Sequence, residues 1–337
     1  MTAAREPRAR SESFGAAMVG ESVVMRRLRA LIDLVAPTRL PVLIHGPTGV
    51  GKELVAAAVH EASGRGGALV AFNVCAISDS MFEDAMFGHV RGAYTGAWSD
   101  SAGFLSEADG GTAFFDEIGG LDPAMQAKLL RAIETGVFRP VGAKRDVASD
   151  FRVVAATNER PADLVAAKRF RADFLHRVGA VFVEVPAVRD RLDDLPLLIY
   201  HFLARAGSSA RVTVEALAVM QSHDWPGNVR ELRHVVEWAA TMCDGFIGAD
   251  AIRAAMTHSG AQAEGKRNDV GAELRNLASV LDQHEWNTTL AAQYLGVHRA
   301  TLYRRMKRLG LSGPSQSGLT IRTDSQAVAR QGANARE

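Results

Sequence analysis

The feature that most limits what this chain can fold into is a glycine-bearing loop between a strand and a helix. Gly46-Pro47-Thr48-Gly49-Val50-Gly51-Lys52 follows the apolar run 41–45 (PVLIH) and leads into a helical stretch at 53–61. So tight a strand-to-helix turn requires backbone conformations that glycine adopts without a steric penalty. The loop's N–H groups then converge with those of the helix N-terminus on one point, a concavity suited to phosphate oxygens. Lys52, at the end of the loop, would reach the β- and γ-phosphates of a nucleotide. A glycine turn that merely opens a helix would leave the same string, so the rest of the chain must decide between the two.

The surrounding pattern is that of an α/β domain with a parallel sheet. Short β-branched or apolar runs at 41–45, 68–73, 111–115, 152–156 and 181–185 alternate with amphipathic helical stretches. Most are continuously apolar, as strands are when helices cover both faces of the sheet. Beyond 185 no further strand is expected. Helical periodicity at 195–206, 214–221, 229–243 and 249–256 predicts a helical lid at about 190–258. The polar stretch 259–271 has the composition of a flexible linker. Residues 272–311 regain helical periodicity, giving a large domain over 18–258 and a small all-α domain at the end. The polar segments 1–17 and 312–337 are expected to be a disordered lead-in and tail.

Gly110-Gly111-Thr112-Ala113-Phe114-Phe115-Asp116-Glu117 is an apolar strand ending in two adjacent carboxylates. On a later strand of the same sheet as Lys52, they can divide the work of phosphoryl transfer to water. Asp116 would hold Mg²⁺ and Glu117 would be the base that polarises the attacking water. The Ser or Thr that commonly follows the lysine and touches Mg²⁺ is replaced by Glu53.

Composition excludes more than it assigns. Lys plus Arg number 39 against 38 acidic residues, so any nucleic-acid-binding patch must be local. The two cysteines, Cys75 and Cys243, are far apart and lack metal-ligand spacing, and both are expected as buried thiols. No run approaches the ~18 apolar residues of a membrane span, and the N-terminus lacks the apolar core of a secretory signal. A cytoplasmic protein without membrane association is expected.

Gly92-Ala93-Tyr94-Thr95-Gly96-Ala97 narrows the field. Two glycines and small residues around one aromatic and one threonine suit a loop that presents Tyr94 and Thr95 outward. This hexapeptide resembles the GAFTGA loop of the NtrC-like bacterial enhancer-binding proteins, AAA+ ATPases that remodel sigma-54 RNA polymerase. The resemblance extends over about 19–311. Glu53 is itself typical of that family's P-loop. By the same resemblance, Asn73 would restrain the catalytic glutamate, and Phe138-Arg139-Pro140-Val141-Gly142 would form a second substrate-facing loop. Asn158, in Ala156-Thr157-Asn158, would be sensor I. Phe170-Arg171-Ala172-Asp173-Phe174-Leu175-His176-Arg177 is similar to the segment carrying arginine fingers, which makes Arg171 and Arg177 candidates to act in trans on a neighbouring subunit. Trp225-Pro226-Gly227-Asn228-Val229-Arg230 looks like sensor II, with Arg230 facing nucleotide.

The resemblance implies ATP and Mg²⁺ as cofactors and homo-oligomers ranging from a dimer to a hexameric ring. Two positions depart from the family's pattern: Tyr94 replaces phenylalanine, and Ser106 stands where a glutamate is usual. With no receiver domain ahead of Val19, control is expected from a regulator acting in trans or from the protein's abundance. The alternative is a DNA-binding regulator of the same fold that does not remodel sigma-54 RNA polymerase.

The C-terminal segment supplies the local basic patch. Residues 288–294, then Leu295-Gly296-Val297, then 298–309 read as helix, tight turn, helix. The second helix carries Arg299, Arg304, Arg305, Lys307 and Arg308 and no acid. His298, Arg299, Ala300 and Thr301 would face base edges in the major groove, with Arg304, Arg305 and Arg308 on phosphates. The segment resembles the Fis-type helix-turn-helix, implying double-stranded DNA as partner, bound as a dimer at a palindromic upstream enhancer site.

Overall fold

The computed structural model describes residues 18–243, 245–266, 281, 284, 286–294, 302 and 306. The chain divides into two compact units, Met1–Ser259 and Gly260–Glu337. The first is built on five parallel strands: β1 (Val42–His45), β2 (Leu69–Asn73), β3 (Thr112–Asp116), β4 (Arg152–Thr157) and β5 (Val181–Glu184). They lie side by side in the order β2-β3-β4-β1-β5. The registers place Asn73 beside Asp116, and His45 beside both Thr157 and Glu184. Every strand therefore ends at one edge of the sheet, and the candidate residues after β1, β2, β3 and β4 emerge there together.

Strand alternation sends neighbouring apolar side chains to opposite faces. Leu43, Ala113, Phe115, Val153 and Ala155 pack into one core, beneath helices α3 (Asp79–Phe87), α4 (Pro123–Thr135) and α5 (Ala172–Val178). Val42, Ile44, Phe114, Val154 and Val183 pack into the other, beneath α1 (Val23–Val35) and α2 (Lys52–Ala62). The continuous apolar runs are thus explained by burial on both faces, except in the edge strands β2 and β5, where only Phe72 and Val183 are buried. Arg152 begins β4 yet is buried. Its guanidinium donates to the carbonyls of Val35 (2.9 Å), Ala36 (2.5 Å) and Leu40 (3.3 Å), capping the C-terminal end of α1 where unsatisfied carbonyls favour a cation.

The lid packs its own core from α6 (Leu195–Arg205), α7 (Val214–Gln221), α8 (Asn228–Met242) and the start of α9 (Ala249–Lys266). Trp225, fully buried at its centre, donates its indole N–H to the Met220 carbonyl at 2.9 Å. The buried Asp194 carboxylate, just before α6, accepts from the Glu21 N–H (2.6 Å), the Ser22 N–H (2.8 Å) and the Ser22 hydroxyl (2.6 Å). The segment leading into α1 is thereby tied to the entry of the lid.

Three expectations are corrected. Strands do not cease after 185: Arg211–Val212 pairs with Phe246–Ile247, a ladder too short to produce a readable alternation. The stretch 259–271 does not begin as a flexible linker, because α9 continues through Lys266. Ala261, Gln262, Ala263 and Glu264 are strong helix formers, and they outweigh Gly260 and Gly265 at about 1 kcal/mol each. Cys75 is exposed and Cys243 half-buried, so neither is a core thiol. Cys75 lies in a 3₁₀ turn on the rim after β2, and Cys243 stands at the C-terminal end of α8.

In the second unit, α10 (Thr288–Tyr294) is capped by Asn287, whose side-chain oxygen accepts from the N–H groups of Thr289 (3.1 Å) and Leu290 (3.2 Å). Leu281, Ala291, Leu302 and Met306 are buried, and Leu302 and Met306 are helical. The segments 1–17 and 312–337, and the candidate DNA-contacting residues His298, Arg299, Ala300, Thr301, Arg304, Arg305 and Arg308, lie outside the described residues.

Candidate functional site at the sheet edge

Gly46–Lys52 leaves β1 and caps α2 as the phosphate-loop reading requires. Gly49 (φ +81°) and Gly51 (φ +102°) are left-handed, and Gly51 is the N-cap residue of α2. Gly49 has a second reason to be glycine: a β-carbon there would lie 2.4 Å from the Gly227 carbonyl oxygen. The Lys52 ammonium donates to the carbonyls of Gly46 (2.9 Å) and Pro47 (3.3 Å). Burial pulls its pKa below the ordinary lysine range, while Asp116 and Glu117 push the other way.

Asp116 ends β3 facing this lysine. Burial raises its carboxyl above the usual carboxylate range, Glu53 adds to the rise, and Lys52 opposes it. Glu117 follows with φ +55°, a left-handed conformation that costs a residue with a β-carbon about 1–2 kcal/mol. Such strain concentrates at functional sites, where the surroundings over-determine the backbone. Asn73 ends β2 next to Asp116, and its side-chain oxygen accepts from the Cys75 N–H at 2.9 Å.

Two asparagines meet at Thr48. The Asn158 amide, after β4, donates to the Thr48 hydroxyl at 3.5 Å. From the lid, Asn228 donates its amide to the Thr48 carbonyl at 3.0 Å, while its side-chain oxygen accepts from the Val188 N–H at 3.1 Å. Asn228 is buried and left-handed (φ +52°), a conformation its short polar side chain tolerates better than most. Nearby, the Arg230 N–H donates to the Gly49 carbonyl at 3.2 Å, and Arg230 is one of the charges acting on Lys52. Sequence reasoning singled out Arg230 but missed Asn228 as a three-way tie between the glycine loop, the Val188 segment entering the lid, and the lid helix α8. Its only outward sign was an asparagine directly after a Pro-Gly turn.

The structure does not bring Arg171 and Arg177 to Lys52. Arg171 forms a two-pronged pair with Asp173 (2.7 and 3.0 Å), which holds the Asp173 carboxyl down at about 2. Arg177 donates to the carbonyls of Ile133 (3.2 Å) and Glu134 (3.3 Å). It lines a cavity of about 830 Å³ with Arg39, Arg65 and Arg152, at the end of the sheet where β1 and β4 begin. The buried Gln126 side chain holds the intervening segment on α4, donating to the Leu121 and Arg169 carbonyls and accepting from the Arg171 N–H. This residue too was not singled out from sequence.

The two expected substrate-facing loops are hairpin tips. Gly88–His89 pairs with Ser101–Ala102, and Val137–Phe138 pairs with Val147–Ala148, both antiparallel. The loops are stitched together: the Val90 N–H donates to the Val141 carbonyl (3.1 Å), the Val141 N–H to the Gly88 carbonyl (2.8 Å). A β-carbon at Gly142 would meet that of Ala93 at 2.8 Å, so the tips also touch. Tyr94, Thr95 and Gly96 are exposed while Ala97 is buried.

Comparison with known proteins agrees with this geometry. The sigma-54 interaction domain family matches residues 18–184, the AAA+ ATPase lid domain family 189–269, and the Fis family of bacterial regulatory proteins 272–309. The chain is 40% identical over 315 residues to the transcriptional regulatory protein ZraR of Escherichia coli K12, spanning 90% of this chain and 71% of ZraR. It is 45% identical over 231 residues to the anaerobic nitric oxide reductase transcription regulator NorR of Aliivibrio fischeri, spanning 67% of this chain and 45% of NorR. Among solved structures, NtrX from Brucella abortus in complex with ATP superposes with a TM-score of 0.65 at 32% identity, covering 87% of this chain and 69% of NtrX.

Proposed function

The chain belongs to the sigma-54-dependent transcriptional activators, and from that membership we propose how its own residues divide the work. It is an AAA+ ATPase whose nucleotide hydrolysis drives remodelling of sigma-54 RNA polymerase, and it carries a Fis-type DNA-binding domain. The observation that carries our assignment is the convergence of Lys52, Asp116, Glu117 and Arg230 at one edge of the sheet.

In this reading, residues Gly46, Pro47, Thr48, Gly49, Val50 and Gly51 wrap the phosphates with backbone N–H groups, while Lys52 and Arg230 balance their charge. Glu53 opens α2 beside them, and Asn158 monitors the γ-phosphate through Thr48. Asp116 holds Mg²⁺. Burial raises its pKa, and a bound divalent cation would favour the charged carboxylate again. Among the described residues no three potential ligands cluster into a metal cage, and Mg²⁺ completed by phosphates and water needs none. When bound, the ion neutralises charge on the phosphate oxygens. Glu117 orients and deprotonates the attacking water, with Asn73 restraining it until substrate engages.

Arg171 and Arg177 complete the site of an adjacent subunit. Their distance from their own Lys52 supports action in trans, which makes hydrolysis dependent on a ring, hexameric by family resemblance. Gly92, Ala93, Tyr94, Thr95, Gly96 and Ala97 form the tip that contacts sigma-54, with the buried Ala97 supporting it from beneath. The segment bearing His298, Arg299, Ala300, Thr301, Arg304, Arg305 and Arg308 reads a palindromic upstream site as one half of a dimer. No described helix is long and apolar enough to cross a membrane, and we place the protein in the cytoplasm, where its polymerase and DNA partners are.

The test is promoter opening by Lys52→Ala. Loss of nucleotide affinity should abolish melting of a sigma-54 promoter while DNA binding persists. Melting that continues without nucleotide binding refutes the assignment.

A further inference from the structure

Of the four tryptophans in this chain, Trp98 stands apart. It lies immediately after the Gly92–Ala97 tip, and 88% of its surface faces solvent, whereas Trp225 is fully buried. An indole so exposed forgoes a large amount of apolar burial that a partner can supply. Its setting is ordered. The Gly92 N–H donates to the Ala97 carbonyl (2.9 Å), the Arg91 N–H to the Asp100 carboxylate (2.7 Å) and the Trp98 N–H to the Gly96 carbonyl (3.0 Å). Ala97 is buried beneath these bonds, so Trp98 projects from a closed turn.

Tyr94 is held differently. Its hydroxyl donates to the Asp84 carboxylate at 3.3 Å, and its ring meets His89 edge-on at 5.2 Å. Asp84 is itself engaged by His89 Nδ1 at 2.5 Å. Tyr94 thus leans on the stem of the hairpin and is 47% exposed, leaving Trp98 as the larger apolar surface at the tip. Residues 92–100 contain no lysine or arginine, although the exposed Arg91 stands next to them; the indole itself is an uncharged apolar surface and suits an apolar protein cleft.

We propose that Trp98 is an anchor for sigma-54, inserting its indole into an apolar cleft of that protein beside the Thr95 contact, while Tyr94 braces the loop against α3. The proposal rests on the reading of residues 92–97 as the sigma-54 contact. Tryptophans placed this way dominate binding energy at interfaces, and a turn already closed before binding loses little further freedom.

The experiment measures capture of purified, labelled sigma-54 by the full chain in the presence of ADP and aluminium fluoride, with ATP turnover of each preparation as the reference. Trp98→Ala should weaken capture about thirtyfold relative to turnover, and Trp98→Phe should recover part of that loss. Thr95→Ala runs in parallel. If Trp98→Ala captures sigma-54 normally while Thr95→Ala does not, the anchor is refuted and the loop assignment stands. If both capture normally, the loop assignment itself falls. If Trp98→Ala loses turnover and ring assembly together with capture, the indole sits between copies of this chain, which also overturns the proposal.

Discussion

Asn228 offers the sharpest test of how the lid is fastened to the nucleotide loop. Replacing it with alanine removes the donor to the Thr48 carbonyl (3.0 Å) and the acceptor of the Val188 N–H (3.1 Å). Val188 is fully buried, so its N–H loses its partner where water cannot replace it. An orphaned buried polar group costs about 1–3 kcal/mol, and the Val188 N–H becomes one, while the carbonyl of the exposed Thr48 is left to water. Alanine at φ +52° adds about 1–2 kcal/mol of backbone strain that asparagine largely escapes. The sum is about 2–5 kcal/mol, which for a domain of this size lowers Tm by on the order of 10 °C. Asn228→Gly relieves the strain but not the lost bonds and should fall between the two. Asn228→Asp keeps the acceptor for Val188 but sets a carboxylate against the Thr48 carbonyl, so it should impair ATP binding more than stability. Thermal unfolding and equilibrium ATP titration on the four proteins separate these effects. An Asn228→Ala protein that melts within about 1 kcal/mol of the parent and binds ATP equally well would refute the three-way tie.

The catalytic assignments make further predictions. Glu117→Gln should bind ATP yet lose turnover by about 10² or more, because the amide cannot accept the proton of water; turnover near the parent's removes Glu117 from the base role. Arg177→Ala should lose turnover by about 10³ while still binding ATP. Mixing it with Glu117→Gln should restore measurable hydrolysis, since some subunit boundaries then combine an intact arginine with an intact glutamate. No recovery at any mixing ratio rules out action in trans. Asp116→Asn tests the sign of burial. A carboxyl whose pKa is raised in the folded state binds its proton more tightly there than in the unfolded chain. Its contribution to stability is therefore greatest in acid and is lost as pH rises through the ordinary carboxylate range to the raised one. Without nucleotide or metal, the variant should melt higher than the parent at neutral pH and lose the Mg²⁺-dependent gain in Tm. A lower metal-free Tm would contradict this account.

Local chemistry made much of this protein legible. Strand β1, its glycine loop and Lys52 are adjacent in the chain, so the strand-to-helix turn was readable from local sequence, and β3 with Asp116 and Glu117 is readable for the same reason. The five strands of the sheet were foreseeable because each is an apolar run bounded by turn residues, and β-structure buried on both faces leaves that signal. The strand order was not, since it depends on which strands pair after collapse. The two-residue ladder of Arg211–Val212 with Phe246–Ile247 left no periodic trace at all.

What only the tertiary structure decided are the contacts between residues far apart in sequence. Asn228 reaches Thr48, Asp194 takes the N–H groups of Glu21 and Ser22, and Arg152 caps α1; each polar side chain is buried where composition predicts exposure. Their partners are backbone groups, whose chemistry is the same at every position and so carries no sequence signature. Motifs foretell where a ligand's charge will be met. How the lid, the loop and the Val188 segment hold one another follows from which main-chain donors and acceptors the fold leaves unpaired.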